Sequence, residues 1–414
     1  MNWANLLHIY QPPRWEAKVI KRVVNESYRP VINILKRNKQ VKITLNINGS
    51  LSEQLSRLGY LDVIEGIRFC AERGQIEFTG SAKYHGILPL LPIEEVRRQI
   101  RLNNEVNRII FGDIYHPRGF FPPEMSVNLD LVGVLVELGF EWVALDEIAA
   151  ESVLGKGDLS KRYRIKPFSF TAILRNRSIS DYFSFKLPTD RPSGFFREVK
   201  HEARSEPVLI TAFDGENLGH HRIGTDRIWE QLVTDPEVVT CTYSEAVEKF
   251  SKEVDFDIQP CSWSTRTEDI KQGAPYPLWQ HPDNPIHQLQ WSLTKLVIDA
   301  VNQAEKKSDR SFKKARALLD EALASDQYWW ASATPWWSMD IVIQGAERLG
   351  FVIKTLQAVS GTTVDEAHQL IQSIIKTTRL WQKEGTAKAR NKQFLKETKS
   401  VKYFGGQRID SLAN

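Results

Sequence analysis

Seven short apolar runs, most of them separated by helical segments, fill the first two thirds of this 414-residue chain and restrict its fold more than any other feature. They lie at residues 4–10, 41–47, 76–79, 119–122, 142–145, 169–174 and 208–213. A strand covered on both faces reads as a continuous apolar run, and strand–helix alternation predicts a parallel α/β sheet or barrel. One intervening helix is expected over about 92–110. There Ile93, Val96, Ile100, Val106 and Ile110 fall near helical spacing, and Pro92 suits a first turn.

Polar residues choose between the two architectures. His8, Gln11, Asn46, Asn48, Glu77, Glu124, Asp146 and Asp214 all fall at or just past the C-terminal end of a run. In an α/β barrel that end carries the active site, whereas a doubly wound sheet gathers ligands at one switch point. Polar residues after several separate strands fit a barrel mouth.

From about residue 285 the pattern turns purely helical. Leu293, Leu296, Val297, Ala300 and Val301 form one apolar stripe, and Ala367, Leu370, Ile371, Ile374 and Ile375 another. Segments 311–324 and 340–357 read the same way, so a C-terminal bundle is expected. The expected organisation is a barrel over 1–258, a Pro- and Trp-rich connection over it at 259–284, a bundle over 285–384 and a basic tail at 385–414. The tail is expected to be frayed or extended.

Composition excludes several classes. Net charge is +4, from 55 basic and 51 acidic residues, too small to argue for a nucleic-acid partner. No run of about 18 apolar residues is present, so no membrane partner is expected. Cys70, Cys241 and Cys261 lack metal-type spacing and form no even disulfide set. The first residues lack a signal peptide's basic start and cleavage site, so a cytoplasmic protein is expected. No cofactor and no metal are expected, and the oligomeric state stays open.

Glu124 and Asp214 carry the chemistry. Each is a carboxylate at the end of a buried strand, where desolvation disfavours its charge. Two such groups are the minimum for glycosidic chemistry. A retaining enzyme needs one as nucleophile and one as general acid/base, about 5–5.5 Å apart. Taken singly, each also fits a structural or metal-binding role. His8 fits a hydrogen-bonded structural residue or a ligand contact, and so does Glu77. His85 precedes an apolar run in a loop that can reach the mouth. His220 and His221 follow Asp214 closely, and either assist a sugar hydroxyl or cover the loop. In the segment SDQYWWASATPWW, Trp329, Trp330, Trp336 and Trp337 sit too close together for one helix face. They form either a sugar-stacking platform or an aromatic plug.

Five segments in order resemble the signatures of glycoside hydrolase family 57: HIYQPP, GQIEFTG with KYHGILPLL, GFFPPE, AFDGENLGHH and ALASDQYWW. The third is more often Trp-x-Pro-Glu, and Phe121 stands here in place of that Trp. The resemblance implies an incomplete seven-stranded (β/α) barrel followed by a helical bundle, and a retaining mechanism on α-glucans or maltooligosaccharides. It implies Glu124 as nucleophile and Asp214 as general acid/base. It further implies that His8, Glu77, His85, Asp326 and Trp329 contact substrate. Gln11, His220 and Trp330 join them as expected contacts, with Asp181 from LRNRSISD, which is similar to a family segment. Hydrolysis of α-1,4-glucan is the first expectation. Transfer, as by a 4-α-glucanotransferase or branching enzyme, is the second. A non-catalytic glucan-binding protein and a metal-dependent polysaccharide deacetylase are the remaining alternatives.

Overall fold

The computed structural model describes residues 1–154, 159, 161–186 and 207–397. The chain divides into two compact units, Met1–Trp263 and Ser264–Asn414.

The first unit is built on ten strands: β1 (Asn2–Ile9), β2 (Ile43–Ile47), β3 (Ile76–Gly80), β4 (Gly119–Phe120), β5 (Trp142–Asp146), β6 (Arg162–Ile165), β7 (Phe170–Arg175), β8 (Leu209–Asp214), β9 (Val239–Cys241) and β10 (Glu253–Phe256). They follow the order β10-β6-β7-β5-β4-β3-β2-β1-β8, with β9 beside the start of β1. Among the described strands only β6 and β7 pair antiparallel. All seven anticipated runs are strands. The three others, β6, β9 and β10, are short and partly exposed, so they lack the continuous apolar signature.

The result is an incomplete (β/α) barrel. No strand ladder joins β7 to β8 among the described residues. One backbone hydrogen bond spans them there, from Asn176 N to Ile210 O at 2.8 Å. Seven residues of β1 are buried, and helices cover the outer face. The anticipated helix is Ile93–Phe111, beginning directly after Pro92.

β4 is only two residues long, and Gly119 explains how it fits. A Cβ there would lie 2.1 Å from the Trp142 ring on β5, so only glycine lets that indole pack flat against the strand. Past β4 the chain turns sharply through Pro122 and Pro123. Glu124 and Met125 both take left-handed backbone conformations, at φ 58° and 49°. Non-glycine residues adopt this region at a cost of about 1 kcal/mol or more, usually where function requires it.

The second unit is helical, and after a short helix at Thr267–Lys271 its helices are Pro285–Lys306, Phe312–Ala322, Asp326–Trp329, Met339–Thr355, Gly361–Glu384 and Thr386–Glu397 among the described residues. Asn284 opens the helix Pro285–Lys306, its Oδ1 accepting from the main-chain N of Ile286 and His287 at 3.0 and 3.3 Å. Leu293, Val297 and Val301 are fully buried along that helix.

Two expectations need correction. The first unit does not stop at 258. Residues 259–263 bond back to it, with Gln259 N on Ala149 O, Cys261 N on Val127 O and Trp263 N on Glu124 O. The tail from 385, expected to be frayed or extended, begins with a helix over Thr386–Glu397. Gly385, at φ 75°, ends the preceding helix, and a run of good helix formers starts the next. Its apolar contacts are few, chiefly buried Ala387 and Phe394 beneath the Arg266 guanidinium, so no periodic stripe marks it in the sequence. Residues 398–414 of that tail lie outside the described residues.

Candidate active site

The parallel register sets the first relationship. His8, at the end of β1, pairs with Asn46 on β2 and with Asp214 on β8. Partners in register project from the same sheet face, so the three side chains share one layer of the mouth.

Hydrogen bonds then order that layer. Asn46 donates its Nδ2 to Thr79 Oγ1 at 2.9 Å, leaving its Oδ1 to face His8 Nδ1 at 2.6 Å. His8 Nδ1 therefore carries the proton. Burial pushes the His8 pKa down to about 4, so the ring is neutral near pH 7 and its Nε2 is an acceptor. His85 Nε2 lies 3.2 Å from that atom and must be the donor. His85 takes φ 57°, stacks on Tyr10 at 4.1 Å, and is also held neutral by burial and by His8. Its Nδ1, then unprotonated, points to Glu124 Oε1 at 3.8 Å. That contact is not an ion pair.

Glu124 is brought to this point by the turn after β4, and its side chain is 14% exposed. Its Oε2 accepts a 2.7 Å hydrogen bond from the indole N–H of Trp263. Asp214 sits in a different environment. Burial raises its pKa to about 6, against the opposing pull of the Arg175 charge. Thus one carboxyl has a donor suited to its charged form, and the other is biased toward keeping its proton.

Glu216, two residues beyond Asp214, was not anticipated. It is buried and receives Tyr28 Oη at 2.5 Å, Gln11 Nε2 at 3.2 Å and Tyr10 N at 3.2 Å. Burial and the Asp214 charge raise its pKa to about 7. The signal was present in the run FDGEN, but one acidic residue there already satisfied the expected pair.

A second network lies at the ends of β5 and β7. Asp146 is fully buried between Arg175 Nε and Arg177 Nη2, each at 2.7 Å. Arg175 also donates to Asp181 Oδ1 at 3.1 Å and to Ala212 O at 3.1 Å. Asp181 is thus tied to this cluster.

The other anticipated residues fall less centrally. Gln11 holds Glu216 through its amide. His220 pairs with Glu26 Oε2 at 2.6 Å. Glu77 lies below the level of these residues. It pairs in register with Thr44, two positions before the Asn46 level, which places it one layer deeper. Its carboxylate accepts from Ser244 N at 3.0 Å, from the Ser244 hydroxyl and from Thr44 Oγ1 at 3.3 Å. There it anchors the start of the helix Tyr243–Val247. Asp326 and Trp329 form the ends of a four-residue helix in the second unit, with Trp330 directly after it. Trp329, Trp330 and Trp336 pack ring to ring there at 5.1–6.0 Å. Among the described residues, no three His, Cys, Asp or Glu side chains converge as metal ligands.

Comparison with known proteins fits this geometry. Residues 3–259 match the model of Glycosyl hydrolase family 57. The chain is 27% identical over 259 residues to an α-amylase of Pyrococcus horikoshii, covering 59% of this chain and 40% of that one. It is 31% identical over 217 residues to α-amylase 1 of Dictyoglomus thermophilum, covering 51% and 31%. It is 23% identical over 259 residues to a 4-α-glucanotransferase of Thermococcus litoralis, covering 59% and 38%. The chain therefore spans two fifths or less of the curated relatives it matches. Among solved structures, a branching enzyme of Pyrococcus horikoshii superposes with a TM-score of 0.69 at 15% identity, covering 91% of this chain and 96% of that one. The Thermococcus litoralis glucanotransferase gives 0.65 at 19%, covering 86% and 60%. At such identities these superpositions speak for the fold alone.

Proposed function

The chain belongs to glycosyl hydrolase family 57, and from that premise we propose that its first unit carries a retaining site acting on α-1,4-glucans, with hydrolysis as its principal reaction. The observation that carries the reading is the unlike pair of carboxyls at one barrel mouth. Asp214 is held toward its protonated form with a pKa of about 6, and Glu124 is hydrogen-bonded by an indole N–H.

Asp214 protonates the leaving glycosidic oxygen while Glu124 attacks the anomeric carbon. A covalent glycosyl-enzyme forms through an oxocarbenium-like transition state. Asp214, now ionised, takes a proton from the acceptor, which releases the sugar and restores both groups. The neutral His8–His85 pair stands beside the carboxyls in a fixed tautomer order and forms part of the wall against which the sugar packs.

Incubation with maltoheptaose, followed by sizing of the products, tests the reading. Shorter sugars alone support hydrolysis. Longer products identify transfer, which the glucanotransferase and branching-enzyme relatives make the alternative. Unchanged substrate refutes both, and Glu124→Gln or Asp214→Asn at wild-type turnover refutes the residue assignment.

A further inference from the structure

Trp263 is joined to Glu124 twice, by main chain and by side chain. Its N donates to Glu124 O at 3.0 Å, continuing the antiparallel bridge between Val127 and Cys261. Its indole N–H reaches Glu124 Oε2 at 2.7 Å. The same ring meets Phe121 edge-on at 5.8 Å and His8 at 6.1 Å, so it stands against two other walls of the mouth.

The indole is itself held from behind. The Arg175 guanidinium lies over the ring, 5.4 Å from its centroid, and Arg177 Nη2 donates to Trp263 O at 3.3 Å. Both arginines are locked on buried Asp146. A cation over the ring face draws electron density from the indole and strengthens its N–H as a donor. Arg175 also binds Ala212 O on β8, two residues before Asp214. One buried cation therefore supports both the strand carrying the acid and the indole holding the other carboxyl.

We propose that Trp263 is a positioning residue for the nucleophile: its N–H fixes the Glu124 carboxylate against the strained turn that carries it, and the Asp146–Arg175–Arg177 cluster fixes Trp263. The proposal rests on Glu124 being the nucleophile. It explains why a left-handed turn, costly for a non-glycine residue, keeps one orientation. It also supplies a hydrogen-bond donor that favours the ionised carboxylate.

The test separates the N–H from the ring. Trp263 is replaced by benzothienylalanine, which keeps the shape and puts sulfur in place of N–H, and in parallel by Phe. The pH profile of kcat/KM and the rate of covalent trapping by 5-fluoro-α-glucosyl fluoride are measured by kinetics and mass spectrometry. The isostere is expected to lower kcat by roughly 10²-fold, as for loss of one preorganised donor. It is also expected to slow trapping in step and to move the acid limb upward by about one pH unit. A purely structural role would leave the limb in place. Wild-type kcat and an unmoved acid limb in the isostere would overturn the proposal, even if the Phe variant misfolds. Full activity in Glu124→Gln would instead overturn the nucleophile assignment on which it rests.

Discussion

Asp214→Asn isolates what burying the acid does to the fold. Its carboxyl has a pKa of about 6 in the folded chain against an ordinary 3.8, with burial as the leading cause. A difference of roughly two pH units corresponds to about 3 kcal/mol at 1.36 kcal/mol per unit. The folded-state value is the higher one, so folding favours the protonated form. That contribution is fully present below about pH 4 and is lost as pH rises through about 6. At pH 8 the wild type must bury the ionised group, a burden that the neutral amide of the variant does not carry. Glu216 adds to the contrast, because the Asp214 charge is one cause of its own raised pKa. Between pH 5 and pH 8 the wild type should therefore lose more stability than the variant. About half of that contribution, roughly 1.4 kcal/mol, survives at pH 5, and for a unit of this size each kcal/mol moves Tm by about 2–4 °C, so the difference over this window is bounded at roughly 3–6 °C. Calorimetry at pH 5, 6, 7 and 8 reads it directly. Parallel Tm curves for the two proteins would refute the claim that burial raises this carboxyl. The same variant should lose at least about 10³-fold in kcat if Asp214 is the general acid.

Other consequences are open to measurement. The alkaline limb of the wild-type kcat/KM profile should fall between about pH 6 and 7, since Asp214 must be protonated to act and Glu216 titrates beside it; activity rising through pH 8 would contradict this. Tyr28→Phe removes a donor from Glu216 and should destabilise the fold by about 1–2 kcal/mol in urea denaturation, with the larger loss above pH 7 where Glu216 is ionised. Arg175→Met leaves Asp146 buried with one partner fewer and should cost about 3–5 kcal/mol by the same assay; a value under 1 kcal/mol would deny the cluster its structural part. Gly119→Ala forces a methyl into the Trp142 ring and should lower Tm through overpacking of about 1–3 kcal/mol, whereas an unchanged Tm would show that the β4–β5 contact relaxes freely.

Strand positions were legible because burial on both faces leaves a nearly continuous apolar run, as in NLLHI and VLITAF. The strands β6, β9 and β10 left no such trace, for they are short and partly exposed. The terminal helix at Thr386–Glu397 was missed for a related reason: it buries little, so no periodic stripe appears. Glu124 and Asp214 stood out because an acid at the end of a buried strand is expensive unless something uses it. Glu77 looked equivalent in that respect, but two residues along a strand is one whole layer of the barrel. At that depth it meets Ser244, a partner 167 positions away that no local pattern announces.

The sequence by itself determined the seven buried strands, which end of them would carry polar groups, and that two carboxyls would stand among them. Those features depend on local burial and periodicity, which neighbouring residues encode. Tertiary structure alone decided how each group is tuned. The tautomer order through Asn46, His8 and His85, the indole on Glu124, the burial that raises Asp214 and the paired arginines on Asp146 all join residues from different strands and loops. Hydrogen bonds and desolvation act over a few ångströms, and only the curl of the sheet brings those residues within that range.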